Sequence, residues 1–340
     1  MYYVGIDHHK KYSQVAVMDP EGNIRLNCKV ANEMEAFKSV IDRFPGPYQA
    51  VVEATRTWGK VHDIFEDELN IETKVASPLK TRAIAEAQIK TDSIDAATLA
   101  HLLRSNLVPE IHVPPKEIRE QKNLLRHRVW LVKLNTMTKN RIHNIIDRNH
   151  VQVPVERLFR KTGIEFLQQL RLSEIDENLL KDNLEILDTL KIHIKRTEDW
   201  VEEILRDDPA YNILMSLPGF GKIFSALVTL EISDINRFRT PEKFASYCCL
   251  IPSTYASGGR VSHGRLLNTG NHWLKYAFIE ASWKAIRNSV YCKTYYERIR
   301  YKKNYNVAIC AMARRLSEIA YRCLMEKRNY EERVCVSYSK

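Results

Sequence analysis

Residues 2–7 and 13–18 are short runs dominated by Val, Ile and Tyr, and a third apolar-rich run covers 24–30. The turn-forming string Asp19-Pro20-Glu21-Gly22-Asn23 separates the last two, so the pattern predicts three strands in an antiparallel meander. The period then lengthens. Residues 33–44 and 58–69 carry helical spacing, while 48–53 and 71–76 read as strands. Strand-helix-strand alternation implies parallel pairing with right-handed crossovers, so residues 1 to about 105 are expected to form a mixed sheet flanked by helices.

After Pro114-Pro115 the strand signals stop, and nearly everything to residue 210 reads as helix with a break near 151–154. Leu180, Leu184, Leu187, Ile194, Val201 and Leu205 fall on an alternating 3,4 spacing, with Lys191 and Glu198 in the same register. That spacing fits a coiled coil or two-helix arm, and equally one amphipathic face of a local bundle. From about residue 211 the chain reads as helical, with one polar loop over 252–270. The expected organisation is an α/β domain at 1–112, a helical middle at 113–208 and a mainly α-helical domain at 209–340.

The chain carries 52 Lys and Arg against 42 Asp and Glu, a formal surplus of 10. Residues 1–100 hold 12 basic and 15 acidic side chains, and 101–150 hold 10 and 4. Residues 151–250 hold 13 and 17, and 251–340 hold 17 and 6. A positive field confined to two segments points to a polyanion before a small metabolite. Seven cysteines without a Cys-x-x-Cys pair make neither a disulfide framework nor a zinc site of usual spacing. With no signal-like start and no long apolar run, a soluble cytoplasmic protein without a membrane partner is expected.

Asp7 ends the first strand run and Glu53 the fourth, while Asp92 and Asp95 lie three apart at the start of a helical segment and so share a face. If the first and fourth strands are neighbours, the four carboxylates can gather. Like charges so close call for a cation, and hard oxygen ligands favour Mg²⁺ or Mn²⁺. Two such ions would serve phosphoryl transfer. Taken singly, each carboxylate also fits a turn or capping residue, Asp92 beside Thr91 above all.

The strings Tyr3-Val4-Gly5-Ile6-Asp7, Val52-Glu53-Ala54-Thr55 and especially Lys90-Thr91-Asp92-Ser93-Ile94-Asp95-Ala96 resemble the RuvC-like, RNase H-fold domain of IS110-family transposases. The resemblance implies that Asp7, Glu53, Asp92 and Asp95 are that family's catalytic, metal-binding carboxylates.

In the second half, Ser216-Leu217-Pro218-Gly219-Phe220-Gly221-Lys222 has the form of a helix-hairpin-helix turn. Gly219 and Gly221 would allow the turn, and the following helix would offer its N-H groups to a phosphate. A glycine-containing turn between packed helices is the plainer reading. Downstream, Gly258-Gly259 would make the loop deformable, and Arg260, His263 and Arg265 could hold a phosphate beside a hydroxyl, with Lys275 following. Spacing alone does not choose among Ser253, Ser257 and Ser262 as a nucleophile. The resemblance does, because the IS110-type C-terminal region carries a Ser-Gly pair that maps onto Ser257-Gly258. This chain departs from the family at Cys249-Leu250-Ile251-Pro252, more often Gly-Leu-x-Pro, and at Asn268, commonly Lys.

For that family the resemblance implies DNA recombination at a composite site, with a noncoding bridge RNA specifying donor and target DNA and a dimer-of-dimers assembly. Ser257 would attack the scissile phosphate and leave a covalent phosphoserine link. Arg119, Lys122, Arg126, Arg128, Lys133, Lys139, Arg141 and Arg148 would suit nucleic-acid phosphates, as would Arg314 and Arg315. Tyr295, Tyr296, Tyr301 and Tyr305 interleave with cations, as base-stacking surfaces do. Two alternatives stay open: a metal-dependent junction nuclease that uses water, and a non-catalytic regulator of DNA inversion.

Overall fold

A computed structural model describes residues 1–85, 91–257 and 260–332 and divides the chain into two compact units, Met1–Val113 and Pro114–Lys340. The first is built on a five-stranded sheet. β1 (Tyr2–His8), β2 (Tyr12–Met18) and β3 (Ile24–Ala31) form the antiparallel meander. β4 (Tyr48–Glu53) pairs parallel to β1, and β5 (Thr73–Ala76) pairs parallel to β4, giving the order β3-β2-β1-β4-β5. The first and fourth strands are therefore neighbours, and the mixed sheet is compatible with an RNase H-like domain.

Both faces of the central strands are covered, and β1 and β4 read as nearly continuous apolar runs, whereas the edge strand β3 alternates apolar and polar residues and is only partly buried. Val4, Ile6, Val15, Val17 and Val52 pack with Phe37, Val61 and Phe65, from α1 (Met34–Ile41), α2 (Trp58–Asp63) and the π-helical turn Ile64–Glu68 that extends α2. On the opposite face Tyr3, Val51 and Ala76 meet Leu99 and Leu103 of α4 (Asp92–Arg104), with α3 (Pro78–Ile84) preceding it in the chain. α4 lies directly on β1 at Gly5, where an added Cβ would stand 2.0 Å from the Ala96 carbonyl oxygen and 2.6 Å from the Ala100 nitrogen. Strand alternation then puts Asp7, two residues on, on the face that α4 covers.

The second unit opens with α5 (Lys116–Arg148) and α7 (Glu174–Leu205), which run antiparallel. Arg128 of α5 bonds Glu198 at 2.6 Å, whereas Arg148 and Asn149, at the other end, reach Asp176. The helical break is longer than expected. It spans residues 149–160 and is followed by α6 (Lys161–Gln169), whose Leu167 packs with Leu158, Ile142 and Ile146. The buried seam of α7 also differs from the sequence register. Leu190 and Thr197, not Lys191 and Glu198, fill the intermediate positions, so Lys191 stays exposed and Glu198 can take Arg128 at the edge.

The rest of the unit packs α8 (Pro209–Met215), α9 (Lys222–Ile232), α10 (Pro241–Tyr247), α11 (His272–Asn288), α12 (Val290–Lys302) and α13 (Tyr305–Met325) around Leu214, Leu227, Phe244, Phe278, Met312 and Leu316. The expected polar loop at 252–270 is corrected: β6 (Pro252–Ser257) and β7 (Arg260–Leu266) form an antiparallel hairpin. Its backbone is held by antiparallel pairing, and side chains described on it, such as Tyr255 at 71% exposed and Arg265, face solvent, so they add no apolar signature. Among the described residues no helix is long and apolar enough to cross a membrane.

Candidate functional site

The registered pair Ile6 and Val52 ends one residue before Asp7 and Glu53, so parallel pairing brings those two residues level at the ends of adjacent strands. Thr91 caps α4 by accepting from the Ile94 backbone N-H, which leaves the carboxylates of Asp92 and Asp95 for other partners in the first turn. Asp7, Glu53 and Asp95 line one cavity of about 450 Å³, together with Pro78, Leu79, Thr81 and Arg82 of α3. Asp92 lies beside this group and is joined to it through a histidine. His9 Nε2 stands 3.1 Å from Asp7 Oδ2 and 3.3 Å from Asp92 Oδ1. The Tyr12 hydroxyl donates to Asp92 Oδ2 at 2.8 Å. Lys90, part of the motif string, lies outside the described residues.

The electrostatics separate the two partners of His9. Burial pushes the Asp7 carboxyl above the usual carboxylate range, with Asp95 and Asp92 adding to the rise and His9 opposing it. Asp92 moves the other way, lowered first by the Tyr12 hydrogen bond and then by His9 and Lys29. His9 and Tyr12 were not singled out by sequence reasoning. The signal was present in a histidine two residues past the strand-end aspartate and a tyrosine opening the next strand.

This arrangement fits a divalent cation. One oxygen from each of Asp7 and Asp92 and one ring nitrogen of His9 lie within 4.8 Å of one another. The buried Thr81 hydroxyl, on the wall of the carboxylate cavity, has no hydrogen-bond partner among the described residues. A buried hydroxyl in that state is a ready site for a water or an oxygen ligand. Asp7, Glu53 and Asp95 offer an all-oxygen donor set of the kind Mg²⁺ and Mn²⁺ take.

In the second unit, the Leu217-Pro218-Gly219 turn joins α8 to α9. Gly219 has φ +83°, and a Cβ there would stand 2.1 Å from the Ala281 carbonyl oxygen of α11, so turn and helix meet through this glycine. Gly221 differs. It caps α9 in extended backbone with open space around it, which any residue could adopt. Lys222 is tied to Glu202 at 2.6 Å.

Ser257 closes β6 and pairs in register with Arg260 across Gly258-Gly259. Those glycines lie outside the described residues, as do the side chains of Ser257, Arg260 and His263. The hairpin base is held by hydrogen bonds from the Leu267 N-H to Ile251 and from the Asn271 N-H to Tyr247. Arg265 is exposed and Lys275 half-buried on α11.

The basic residues fall into two groups. Lys122 is buried against Glu231 of α9 at 3.4 Å, with burial pulling its ammonium pKa down, and Arg126 reaches the same carboxylate at 3.3 Å. Arg128 is paired with Glu198 and Arg148 with Asp176, while Arg314 and Arg315 share Glu318. Lys122 is thus corrected from a phosphate contact to an interior ion-pair partner, because α5 turns that side toward α9. Arg141 and Lys133 are exposed, Arg119 is half-buried, and the Lys139 ammonium lies over the Phe159 ring. Of the tyrosines, Tyr296 is core, whereas Tyr301 and Tyr305 are exposed.

A family model for IS110-type DEDD transposases, described as a transposase, matches residues 4–151. A second, described as the transposase IS116/IS110/IS902 family, matches residues 211–297. The first match contains all four carboxylates, and the second contains the Gly219 turn and the hairpin. Similar curated proteins include an "Insertion element IS110 uncharacterized 43.6 kDa protein" of Streptomyces coelicolor, 23% identical over 98% of this chain and 96% of its own. The "Transposase for insertion sequence element IS1328" of Yersinia enterocolitica is 22% identical over 94% and 95%. With both models matched in order and these relatives running nearly end to end, the chain belongs to the IS110 family of insertion-sequence transposases.

Proposed function

We propose that the protein cuts and rejoins donor and target DNA of its insertion sequence by phosphoryl transfer. Asp7, Glu53, Asp92 and Asp95 hold Mg²⁺ or Mn²⁺, and Ser257 is the nucleophile. The observation that carries this reading is the meeting of Asp7, Glu53 and Asp95 in one cavity, with Asp92 linked to Asp7 through His9. Bound divalent cations supply Lewis-acid stabilisation of charge on a reacting phosphate. Ser257 Oγ bonds to the scissile phosphorus as the bond from that phosphorus to the deoxyribose oxygen breaks, and the serine hydroxyl proton ends on the departing oxygen, giving a phosphoserine diester and a free deoxyribose hydroxyl. The phosphoserine link conserves the diester, so rejoining needs no nucleotide triphosphate.

Arg260 and Arg265 on the hairpin, with Lys275, steady the phosphate. Arg119, Lys139 and Arg141 on α5 hold a noncoding bridge RNA that selects both DNAs. The α5 and α7 pair, as a coiled-coil arm within a middle region at 113–208, joins two copies, which assemble further into a tetramer. The region 209–340, with a helix-hairpin-helix turn at Gly219, grips DNA. Such a protein works in the cytoplasm, at the nucleoid.

The test uses purified protein, supercoiled donor and target DNA and the element's own noncoding RNA. Ser257→Ala is expected to lose strand cleavage and the protein–DNA adduct by about a thousandfold or more while still binding DNA. Continued cutting by that variant would instead mark a nuclease that uses water. Asp7→Asn is expected to abolish cleavage and adduct alike, and undiminished recombination by it would remove the carboxylates from the mechanism. RNA guidance fails if the protein shows no preference for the element's RNA over an unrelated RNA of equal length.

A further inference from the structure

Two adjacent histidines follow the metal-site strand, and their surroundings separate them. His8 is buried with both ring nitrogens occupied, Nδ1 at 2.9 Å from Ser13 Oγ and Nε2 at 2.9 Å from Thr57 Oγ1. It ties β1 to β2 and to the segment after β4. His9 faces the other way. Its side chain is 40% exposed, and its Nε2 is aimed between two carboxylate oxygens, 3.1 Å from Asp7 and 3.3 Å from Asp92. The residue is held there by its neighbours. Asn32 Nδ2 donates to its backbone carbonyl at 2.8 Å, and its ring packs 5.1 Å from that of Tyr12, whose hydroxyl in turn fixes Asp92.

Ligand atoms on adjacent corners of an octahedron, each about 2.1 Å from the ion, stand about 3 Å apart. The separations of His9 Nε2 from the two aspartate oxygens match such edges. Asp7 also belongs to the all-oxygen group with Glu53 and Asp95. The donors therefore divide into two sets that share Asp7, one of oxygens only and one that includes an imidazole nitrogen.

We infer that His9 Nε2 is a ligand of a divalent ion held between Asp7 and Asp92, so that this half of the site prefers a first-row transition ion such as Mn²⁺ to Mg²⁺. The physical basis is ligand hardness. Mg²⁺ takes oxygen donors and gains little from imidazole, whereas transition ions accept nitrogen readily. The inference rests on the metal-binding reading above and goes beyond it in giving the two halves of the site different chemistry.

The test is pulsed EPR on the full-length protein loaded with Mn²⁺, with histidine labelled in ¹⁴N or ¹⁵N, together with Mn²⁺ and Mg²⁺ affinities. The wild type is expected to show spin-echo modulation from a coordinated histidine nitrogen. His9→Gln should lose that modulation and weaken Mn²⁺ binding by about tenfold or more. Its Mg²⁺ affinity should change by much less. His9→Asp should keep Mn²⁺ binding without the nitrogen signal, and His8→Gln should keep both. Modulation that persists in His9→Gln, or Mn²⁺ bound by the wild type without it, overturns the inference. If Asp7→Asn abolishes binding while His9→Gln changes neither affinity nor spectrum, the inference alone fails. If the wild type binds no Mn²⁺, or Asp7→Asn binds it as the wild type does, the metal-binding reading fails with it.

Discussion

Asp7 is held against its own ionisation. Burial first, then Asp95 and Asp92, raise its carboxyl pKa, and His9 only partly offsets them. A raised carboxyl pKa favours the fold at low pH, where the group is protonated in both states. That advantage is lost as pH climbs from the unfolded value, near 4, through the higher folded one. Asp7→Asn is therefore expected to raise the urea midpoint at pH 7 in EDTA, with the gain vanishing below about pH 4. Saturating Mn²⁺ should reverse the order, because only the wild type gains ion binding. A midpoint for Asp7→Asn that falls at pH 7 in EDTA would show that the His9 contact outweighs the strain.

A second buried carboxylate is held by charged partners. Glu231 accepts from Asn271 Nδ2 at 2.8 Å and is ion-paired with Lys122 and Arg126. Glu231→Gln strands a buried lysine and should cost about 3–5 kcal/mol in urea unfolding, whereas adding Lys122→Met should recover most of it. A double variant no better than the single one would mean that Lys122 is not the partner that matters. Neither Glu231 nor His9 stood out in the sequence, since their roles depend on partners that only packing supplies.

Among the elements, the strands were the most legible. Val, Ile and Tyr runs bounded by turn residues marked β1 to β5 to within two residues, because strands covered on both faces, such as β1 and β4, leave a continuous apolar trace, while the partly exposed edge strand β3 shows as an alternation. The β6–β7 hairpin left no such trace, and the α7 seam was displaced at Lys191 and Glu198. A heptad count cannot tell which of two neighbouring positions a partner helix covers. Gly5 carries the most consequence for the site. Gly5→Ala forces α4 off β1 and should destabilise the fold by about 1–3 kcal/mol or more. It should also weaken Mn²⁺ binding, since Asp92 and Asp95 travel with α4. Wild-type Mn²⁺ affinity in a folded Gly5→Ala protein would break that link. In the helical pair, Leu187→Ala is expected to cost about 2–5 kcal/mol by leaving a cavity in the seam.

Across the whole chain, the charge surplus sits where the candidate grips are, but its local meaning is uneven. Arg141 is exposed on α5, while Lys122, nineteen residues earlier on the same helix, is consumed by Glu231. Salt titration of nucleic-acid binding separates the two. Arg141→Ala should lower the slope of log affinity against log salt by up to about 0.9, the share of one duplex phosphate, or about 0.7 for a single strand. In a folded Lys122→Met, Glu231→Gln protein the slope should not change, and a reduced slope there would return Lys122 to the binding surface.

By itself the sequence determined the strand and helix order, the mixed sheet and the strings that mark the IS110 family, since these depend on local periodicity and short-range spacing. Tertiary structure alone decided which polar groups meet. It set Gly5 beneath α4, aimed His9 rather than His8 at the carboxylates, placed the Thr81 hydroxyl on the cavity wall with no hydrogen-bond partner among the described residues and turned Lys122 inward to Glu231. Periodicity says which face of an element is buried. What lies opposite that face is settled by contacts between residues far apart in the chain, and the chemistry of a site is made of those contacts.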